Sequence, residues 1–383
     1  MALETDAQRT RHELIRLCHR GLDVARFFEA AARPLRRAVP FDGVCWLTLD
    51  PATLLVTGHI PQDSFEPDEV PRLARNEYLQ DDVNKFSTLA RQQRTAGSLR
   101  EATGGHPERS PRYRELLAPK GFDDELRTAF VEGSTCWGAA AMYRARGRPR
   151  YEPAELELLA ELATSIAEGL RRAILIAALP TEEVFAGPGL VLLREDNAVE
   201  AITPTAERWL DALPRASRTP ATLPEVLYAV ASRARQIGHG SEHAPVGVAR
   251  ARIQSSSGHW LVLHGSLLET SAGLRTAVIV EPARPPEIAP LIADAYGMTE
   301  RERDIVRRVI QGLSTNEIAK TLCLSPYTVQ DHLKAIFEKA GVRSRRELVA
   351  QMFFQHYAPH LGRADNLATD GWFASERHMA RVS

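Results

Sequence analysis

The chain has 383 residues, 44% of them hydrophobic, which is enough for two or three domains with their own cores. Its formal net charge of -1 excludes a general electrostatic attraction to nucleic acids, so a DNA contact requires a local basic surface. Four widely spaced cysteines without a C-x-x-C motif argue against a zinc site and a disulfide framework. The N-terminus is polar and no apolar run has the length of a membrane span, so we expect a soluble cytoplasmic protein.

The first 180 residues predict a mixed unit of helices and strands, from apolar residues at helical and alternating spacing. In chain order, the predicted elements are a helix over 8–37, strands at about 43–49 and 53–59, an irregular polar region over 61–115, strands at about 126–132 and 136–144, and a helix from Pro153 to Leu179.

This order of helix, hairpin, irregular middle, hairpin and closing helix resembles a GAF-type sensory domain. The resemblance implies an antiparallel sheet with helices packed on one face, and such domains often bind small molecules. Polar and aromatic residues on the sheet are therefore candidate ligand-binding residues, and for each an ordinary core or surface position is the alternative. The candidates are Trp46, His59, Tyr78, Trp137 and Tyr143. They indicate no particular cofactor.

The closing helix of this unit carries an apolar stripe, with glutamates near its start and Arg171 and Arg172 near its end. That charge order complements the helix dipole. The stripe consists of Leu158, Leu159, Leu162, Ile166, Leu170 and Ile174. It can cover the sheet of its own domain, or it can form the seam of a homodimer.

Residues 184–283 predict a second mixed unit. It begins with two short strands and a helix capped near Thr203, and it continues with a second helix and three strands. In the first of these three strands, Arg250, Arg252 and Gln254 share one face. The unit resembles a PAS-like domain, and a structural adaptor between sensor and effector is the alternative.

The next segment, 284–297, is rich in proline, with four prolines between Pro282 and Pro290. It predicts a semi-rigid linker into a compact helical unit over 298–357. The remaining residues, 358–383, are polar and mixed and predict a disordered tail.

The helical unit has four helix-start signals in about fifty residues. They are the capping boxes Thr299 with Glu302, Ser314 with Glu317 and Ser344 with Glu347, and the pair Ser325-Pro326. With Gly312 and Gly341 as helix ends, they predict helices at about 299–310, 314–322, 326–340 and 345–355. Only three residues separate the second helix from the third. That spacing is typical of a helix-turn-helix, which places its second helix in the major groove of DNA.

The same stretch resembles the LuxR-type DNA-binding domain. The family pattern is met by Thr299, Arg301, Glu302, Ser314, Glu317, Ile318, Ala319, Leu322, Ser325, Thr328, Val329, His332, Gly341, Val342 and Arg345. The chain departs from it at Gln330, where the family usually has lysine, and this changes the expected DNA half-site.

The resemblance implies that Gln330, Asp331 and Lys334 face base edges, where Gln suits adenine, Asp cytosine and Lys guanine. His332 is expected to orient a helix end or meet a phosphate rather than to read a base. Between Ser325 and Arg346, five basic residues oppose two acidic ones, which favours phosphate contact. The candidate DNA-binding residues are Thr328, Gln330, Asp331, His332, Lys334, Lys339, Arg343 and Arg345.

We find no nucleotide-binding, zinc-protease or serine-hydrolase motif, and no acidic strand end of a phospho-acceptor domain, so the sequence does not predict an enzyme. It predicts a multidomain protein with two α+β sensory-type domains, each an antiparallel sheet plus helices, followed by an all-α four-helix domain. Such a protein would be a homodimeric transcriptional regulator that binds double-stranded DNA, responds to a small-molecule effector or a partner, and contacts RNA polymerase. The alternative is a regulatory protein whose helical domain binds another protein.

Overall fold

The computed structural model describes residues 2–92, 95–175, 187–214, 223–239, 248–271 and 273–350. It confirms two antiparallel-sheet α+β domains followed by a helical C-terminal domain. In the described part of the chain, no helix has both the length and the apolar character needed to cross a membrane. The predicted tail at 358–383 and the predicted helix ends at 176–179 and 351–355 lie outside the described residues.

The first domain is built on a five-stranded antiparallel sheet in the order β2-β1-β5-β4-β3. Its strands are β1 (Gly43–Leu49), β2 (Val56–Gln62), β3 (Ala96–Ser98), β4 (Phe122–Glu132) and β5 (Thr135–Ala145). Its α-helices are α1 (Ala2–Cys18), α2 (Val24–Ala38), α3 (Val70–Leu79), α4 (Phe86–Leu89), α5 (Leu99–Ala102) and α6 (Pro153–Leu175). The α1–α2–α6 layer covers one face of the sheet, and α3 with α4 and the segments around them covers the other.

Two predictions for this domain were wrong. The single helix predicted over 8–37 is broken, because Gly21 adopts φ +64° and Asp23 starts α2 by accepting a hydrogen bond from the Arg26 backbone N at 2.9 Å. The region predicted as irregular over 61–115 contains α3. Its Pro71 lies in the first turn of the helix, where proline is tolerated because no intrahelical N–H is required.

The closing helix α6 packs on its own domain. Leu159, Leu162, Ile166 and Leu170 are buried in the core with α1 and α2. A Cβ atom built on Gly169 would lie 2.0 Å from the Phe27 ring, so the missing side chain allows α6 to approach α2 closely. The stripe therefore covers the domain's own sheet, and a homodimer remains a prediction.

The second domain has the same sheet order, with β7-β6-β10-β9-β8 all antiparallel. Its strands are β6 (Gly189–Leu193), β7 (Val199–Ile202), β8 (Arg250–Gln254), β9 (Trp260–Thr270) and β10 (Gly273–Pro282), and its helices are α7 (Pro204–Ala212) and α8 (Glu225–Gly238). Thr203 caps α7, as the sequence predicts, by accepting from the Ala206 backbone N.

Helix α8 lies between the two domains and is buried from Glu225 to Arg235. One side packs on the second sheet. The other side meets β2 and α3, and Leu55 and Tyr78 of the first domain belong to the same apolar cluster as α8. A helix that is buried all round is typical of a core position, so the two domains share one continuous interface.

The segment 284–297 is not the predicted proline-rich linker, because it contains helix α9 (Pro285–Ala295). Pro285 and Pro286 occupy its first two positions, where proline is tolerated. Ile288, Leu291 and Ile292 are buried in a cluster with the second sheet and the C-terminal helices. The C-terminal domain is therefore packed against the rest of the protein and not suspended from an extended chain.

A buried ion pair links the first domain to the second. Asp50, in the turn after β1, accepts hydrogen bonds from the backbone N, Nε and Nη2 of Arg252 in β8, at 2.8, 3.0 and 2.6 Å. The Arg252 Nη1 donates to the Glu287 carbonyl of α9 at 3.0 Å. Arg252 thus contacts both domains and the helix that leads to the C-terminal domain.

Candidate DNA-binding surface and ligand cavity

The C-terminal domain consists of α10 (Glu300–Ile310), α11 (Thr315–Leu322), α12 (Pro326–Ala340) and α13 (Arg345–Ala350). Capping boxes fix the starts of the first two helices. Thr299 and Glu302 exchange backbone-to-side-chain hydrogen bonds of 2.7 and 3.3 Å, and Ser314 and Glu317 exchange bonds of 2.7 and 3.4 Å. Both boxes are confirmed.

The third predicted capping box is only half formed. Ser344 accepts from the Glu347 backbone N at 3.1 Å, but the Glu347 carboxylate accepts from the backbone N of Arg343 and not from that of Ser344. The helix start at Ser344 is right, and its second hydrogen bond is displaced by one residue.

The turn between α11 and α12 is short, and helix caps define both of its ends. Cys323 ends α11 in the left-handed region at φ 54°, and the Ser325 hydroxyl caps α12 by accepting from the Thr328 backbone N at 3.0 Å. Buried Ile318, Val329 and Ile336 join the two helices in one apolar cluster. The position of α12 is therefore set by its neighbours.

One face of α12 is exposed. It carries Tyr327, Gln330, Asp331 and Lys334, which have the i, i+3, i+4, i+7 spacing of residues on one side of a helix, and we call it the recognition face. Tyr327 is 72% exposed, and the Lys334 side chain is 79% exposed. Lys334 lies 3.8 Å from Asp331, an exposed pair that contributes little to stability and leaves both groups free to exchange partners.

Two predicted DNA-binding residues have partners inside the domain. Lys339 donates to the Glu302 carboxylate at 2.6 Å, and Arg345 donates to the carbonyls of Val309 in α10 and of Leu313 in the turn after it. Burial alone would raise the pKa of the Glu302 carboxyl. The hydrogen bonds from Lys339 and from the Thr299 backbone outweigh burial and lower this pKa. Both cations therefore hold the helices together.

The other predicted contacts differ in exposure. Arg343 is exposed, His332 is half-buried, and the Thr328 hydroxyl lies 2.8 Å from the Ser325 hydroxyl in the N-cap of α12. The predicted DNA-binding residues do not include Tyr327. An aromatic residue in the first turn of α12, away from the apolar stripe of that helix, is the sequence feature that indicates its exposure.

A cavity of about 60 Å³ lies between the first and second domains. Its walls come from β1, β2, β5 and α3 of the first domain and from Glu225 and Ala229 on α8 of the second. Most lining residues are apolar, including Leu47, Val56 and Leu73. We call it the interdomain cavity.

Three of the five predicted ligand residues, His59, Tyr78 and Tyr143, line this cavity. Trp46 and Trp137 lie on the opposite face of the sheet and are buried in the core under α2 and α6. Trp46 stacks on Phe28 with ring centroids 5.1 Å apart. Successive residues of a strand face opposite sides, so Trp46 cannot share the cavity that its neighbours Cys45 and Leu47 line. The two tryptophans are core residues.

A chain of polar groups runs into the cavity wall. His59 Nε2 lies 3.1 Å from the Cys45 thiol, which lies 3.2 Å from the Ser64 hydroxyl, which donates to the Val44 carbonyl at 3.0 Å. His59 is 5% exposed, and burial lowers the pKa of its imidazole, an effect that the Glu225 carboxylate opposes only in part. Burial raises the pKa of the Cys45 thiol to about 11, so the thiol keeps its proton.

The charges beside the cavity are paired. Arg127 donates to the Glu77 carboxylate at 2.7 Å and to Glu125 at 3.1 Å. Glu125 also accepts from Arg112, which is 1% exposed. This network holds the segment before β4 against the sheet. Its members are separated along the chain, so no local sequence pattern indicates this network.

Residues 297–352 match the family model described as bacterial regulatory proteins, luxR family. The C-terminal domain is a luxR-type helix-turn-helix domain. Most of the family-pattern residues in this luxR-type domain serve its fold. Thr299, Ser314 and Ser325 are helix caps, Ile318 is a core residue, and Arg345 binds main-chain carbonyls.

The luxR-type domain is similar to parts of known regulators. A Mycobacterium bovis protein provisionally named an HTH-type transcriptional regulator, Mb0914c, is 52% identical over 52 residues, which are 14% of this chain and 6% of that protein. The transcriptional regulatory protein UhpA of Escherichia coli is 40% identical over 70 residues, 18% of this chain and 36% of UhpA. The chain thus spans well under half of the length of either relative.

A crystal structure of Escherichia coli SdiA aligns with 90% of this chain and 96% of its own, at 11% identity and a TM-score of 0.31. A likeness at this score supports no inference about the two domains that precede the luxR-type domain.

Proposed function

We propose that the protein is a sequence-specific transcriptional regulator that inserts α12 of its luxR-type domain into the major groove of DNA. The observation that carries this proposal is the recognition face, an exposed set of polar and aromatic side chains on a helix that caps and core contacts hold in place. The match of residues 297–352 to the luxR family supports it.

The chemistry of the side chains suggests that some residues contact bases and others contact phosphates. Gln330 can make paired hydrogen bonds to adenine, Asp331 can accept from the amino group of cytosine, and Lys334 can donate to guanine. Arg343 and Arg346 are exposed beyond the end of α12, where cations meet phosphates without reading sequence. We assign Lys339 and Arg345 to the fold of the domain instead.

The two preceding domains supply the control in this proposal. We propose GAF-like and PAS-like sensory roles for them, a cytoplasmic homodimer as the active form, and contacts with RNA polymerase. The common interface through α8 and the packing of α9 support a mechanism by population shift, in which an effector or partner that prefers one arrangement changes DNA affinity.

The test uses the full-length protein. Selection from random double-stranded DNA identifies a preferred site, and fluorescence anisotropy then compares dissociation constants at fixed salt. We expect Lys334→Ala and Gln330→Ala each to weaken binding to that site by about 1–3 kcal/mol, or roughly 5- to 150-fold. Arg33→Ala, which removes an exposed cation from α2, is the matched control and should have no effect.

A phosphate contact has a different signature. Arg346→Ala should weaken binding to all sequences alike and reduce the slope of log K against log salt by roughly 0.9. A protein that selects no DNA sequence, or whose recognition-face variants bind like the wild type, would refute the proposed function and favour a protein partner for the helical domain.

A further inference from the structure

The interdomain cavity has walls from both the first and the second domain. His59 and Leu73 contribute from the first domain, and Glu225 and Ala229 on α8 contribute from the second. Because α8 is buried between the domains, anything that occupies the cavity touches both of them at once. The DNA-binding surface has no part in this site.

Only one tautomer of His59 gives every contact of the polar chain a proton. The Ser64 hydroxyl donates to the Val44 carbonyl, so its oxygen accepts from the Cys45 thiol. The Cys45 sulfur, with its only proton used, then accepts from the Nε2–H of His59. In a neutral ring the other nitrogen, Nδ1, is consequently an acceptor. The opposite tautomer would leave one of these three contacts without a proton.

The Nδ1 atom of His59 is buried and has no hydrogen-bond partner among the described residues. The Glu225 carboxylate is 3.9 Å away, which is too far for a hydrogen bond. A buried acceptor without a donor is energetically costly, so a donor placed in the cavity would bind favourably.

The size and polarity of the cavity limit what can bind. One water-sized atom needs roughly 10–15 Å³ of such volume, so a cavity of about 60 Å³ holds roughly four to six non-hydrogen atoms. Glu77 and Arg127 neutralise each other in the wall, and most of the lining is apolar. The third charged group in the wall, the Glu225 carboxylate, would repel an anion, and the mostly apolar lining would leave the greater part of any ion without its hydration, so an uncharged ligand fits best.

We propose that the interdomain cavity binds a small uncharged organic molecule of roughly four to six non-hydrogen atoms that carries one hydroxyl or N–H group. This group donates to His59 Nδ1, and the apolar part lies against Leu73 and Ala229. The molecule stabilises the arrangement in which α8 closes the cavity over any arrangement in which α8 is displaced. Its effect on DNA rests on the proposed function, whereas its binding does not.

The binding test compares two isomers of equal size, 1-butanol, which can donate a hydrogen bond, and diethyl ether, which can only accept one. Dissociation constants are measured on the full-length protein without DNA, by saturation-transfer NMR titration. We expect 1-butanol to bind roughly 2- to 10-fold more tightly than diethyl ether, the range of a single net hydrogen bond. In His59→Phe this preference should disappear, while His239→Phe, which changes an exposed histidine at the end of α8, should keep it.

Two further variants locate the site. Ala229→Leu fills the cavity from the second domain and should abolish binding of both isomers. Ala74→Leu, at a half-buried position on α3, fills it from the first domain and serves if the first variant does not fold, as judged by circular dichroism. Equal affinity for the two isomers in the wild type, or unchanged 1-butanol binding in a folded cavity-filling variant, would overturn the proposal.

A separate measurement distinguishes this inference from the proposed function. The affinity for the selected DNA site, here called the operator, is compared with and without saturating 1-butanol. A butanol-dependent change that Ala229→Leu removes supports coupling through α8, and an unchanged operator affinity refutes the coupling while leaving the binding result intact.

Discussion

Replacing Arg252 by methionine tests whether the buried ion pair with Asp50 holds the first two domains together. Methionine keeps an unbranched apolar stem but removes the charge and all the side-chain donors. The Asp50 carboxylate then loses the side-chain hydrogen bonds of 3.0 and 2.6 Å. It keeps those from the backbone N of residue 252 at 2.8 Å and of Ala52 at 2.9 Å. The side chains are 6% and 1% exposed, so water cannot readily replace the guanidinium.

The expected magnitude follows from this burial. Removing one partner of a buried pair leaves an uncompensated charge and typically costs about 3–5 kcal/mol. Asp50→Asn in the same chain removes that charge and retains an oxygen for the Ala52 backbone N, which now donates to Asp50 at 2.9 Å. We therefore expect the double variant Asp50→Asn, Arg252→Met to recover about 2 kcal/mol or more relative to Arg252→Met.

Urea denaturation followed by tryptophan fluorescence measures these differences, because Trp46 and Trp137 lie in the first domain and Trp209 and Trp260 in the second. A double-mutant cycle on the free energy of unfolding isolates the coupling between Asp50 and Arg252. Additive effects of the two substitutions, or a loss below about 1 kcal/mol for Arg252→Met, would refute the reasoning that each charge depends on the other.

Three further predictions concern packing, an internal ion pair and pH. Gly169→Ala should destabilise the first domain by about 1–3 kcal/mol in urea denaturation, because its Cβ would lie 2.0 Å from the Phe27 ring. Lys339→Met should cost about 1 kcal/mol of stability by removing the partner of Glu302, and should leave DNA affinity within about twofold of wild type. The folded-state pKa of His59 is lowered by burial, so the unfolded chain binds this proton more readily. The contribution of His59 to the free energy of unfolding is therefore fully present above its unfolded pKa of about 6.5. It is lost as the pH falls from there through the folded pKa, by at most about 1.4 kcal/mol per pH unit. Urea denaturation at several pH values measures it.

Each of these predictions has a control. Thr164→Ala, at an exposed position of α6, should leave stability within about 0.5 kcal/mol of wild type. A large loss of DNA affinity in Lys339→Met at unchanged stability would instead assign that lysine to the DNA surface. His59→Phe should remove its share of the pH slope, and an identical slope in this variant would mean that other groups cause it.

The helix starts of the luxR-type domain could be predicted to within one residue because a cap is a local interaction. Thr299, Ser314 and Ser325 each accept a hydrogen bond from a backbone N only three residues further on. Four consecutive residues are therefore enough to predict each helix start. The same locality explains why Gly341 was recognised as the end of α12, where it adopts φ 67°.

The roles of Lys339 and Arg345 could not be predicted in this way. Glu302 lies 37 positions before Lys339, and Val309 lies 36 positions before Arg345, so neither partner is visible from the local pattern. A count of basic residues treats every cation as free for phosphate. The structure separates the cations that stabilise the domain from Lys334, whose side chain is 79% exposed.

The placement of the aromatic candidates shows a second limit. Alternation indicates that Trp46 and His59 belong to strands, but it does not say which face of a sheet carries a ligand when helices cover both faces. The sequence does not predict the second-domain wall of the cavity, because its pattern assigns the helix that carries Glu225 and Ala229 to the second domain alone.

The proline-rich composition of the segment before the luxR-type domain predicts an extended linker. The position of the prolines explains the helix instead, because Pro285 and Pro286 occupy the first turn of α9, where proline is tolerated. Ile288 and Leu291 of that helix share a buried cluster with Ile305 and Val329 of the luxR-type domain. A fragment that starts near residue 290 would therefore lose part of its own core, and DNA-binding measurements belong on the full-length chain.

The second sheet packs against α8 on one face and against α9 and the luxR-type domain on the other. This arrangement provides a structural route from the interdomain cavity to the DNA-binding surface. In β9, Leu261 and Leu263 face the cluster of α8, whereas Trp260 and Val262 face the cluster of α9 and the luxR-type domain. Arg252 lies at the edge of this sheet and bonds Asp50 on one side and α9 on the other. A displacement of α8 that shifts β8 must therefore either move α9 with it or break a buried hydrogen bond. Coupling by this route predicts that Arg252→Met, in a protein that still folds, retains 1-butanol binding but loses its effect on operator affinity, and an effect of wild-type size would refute the route.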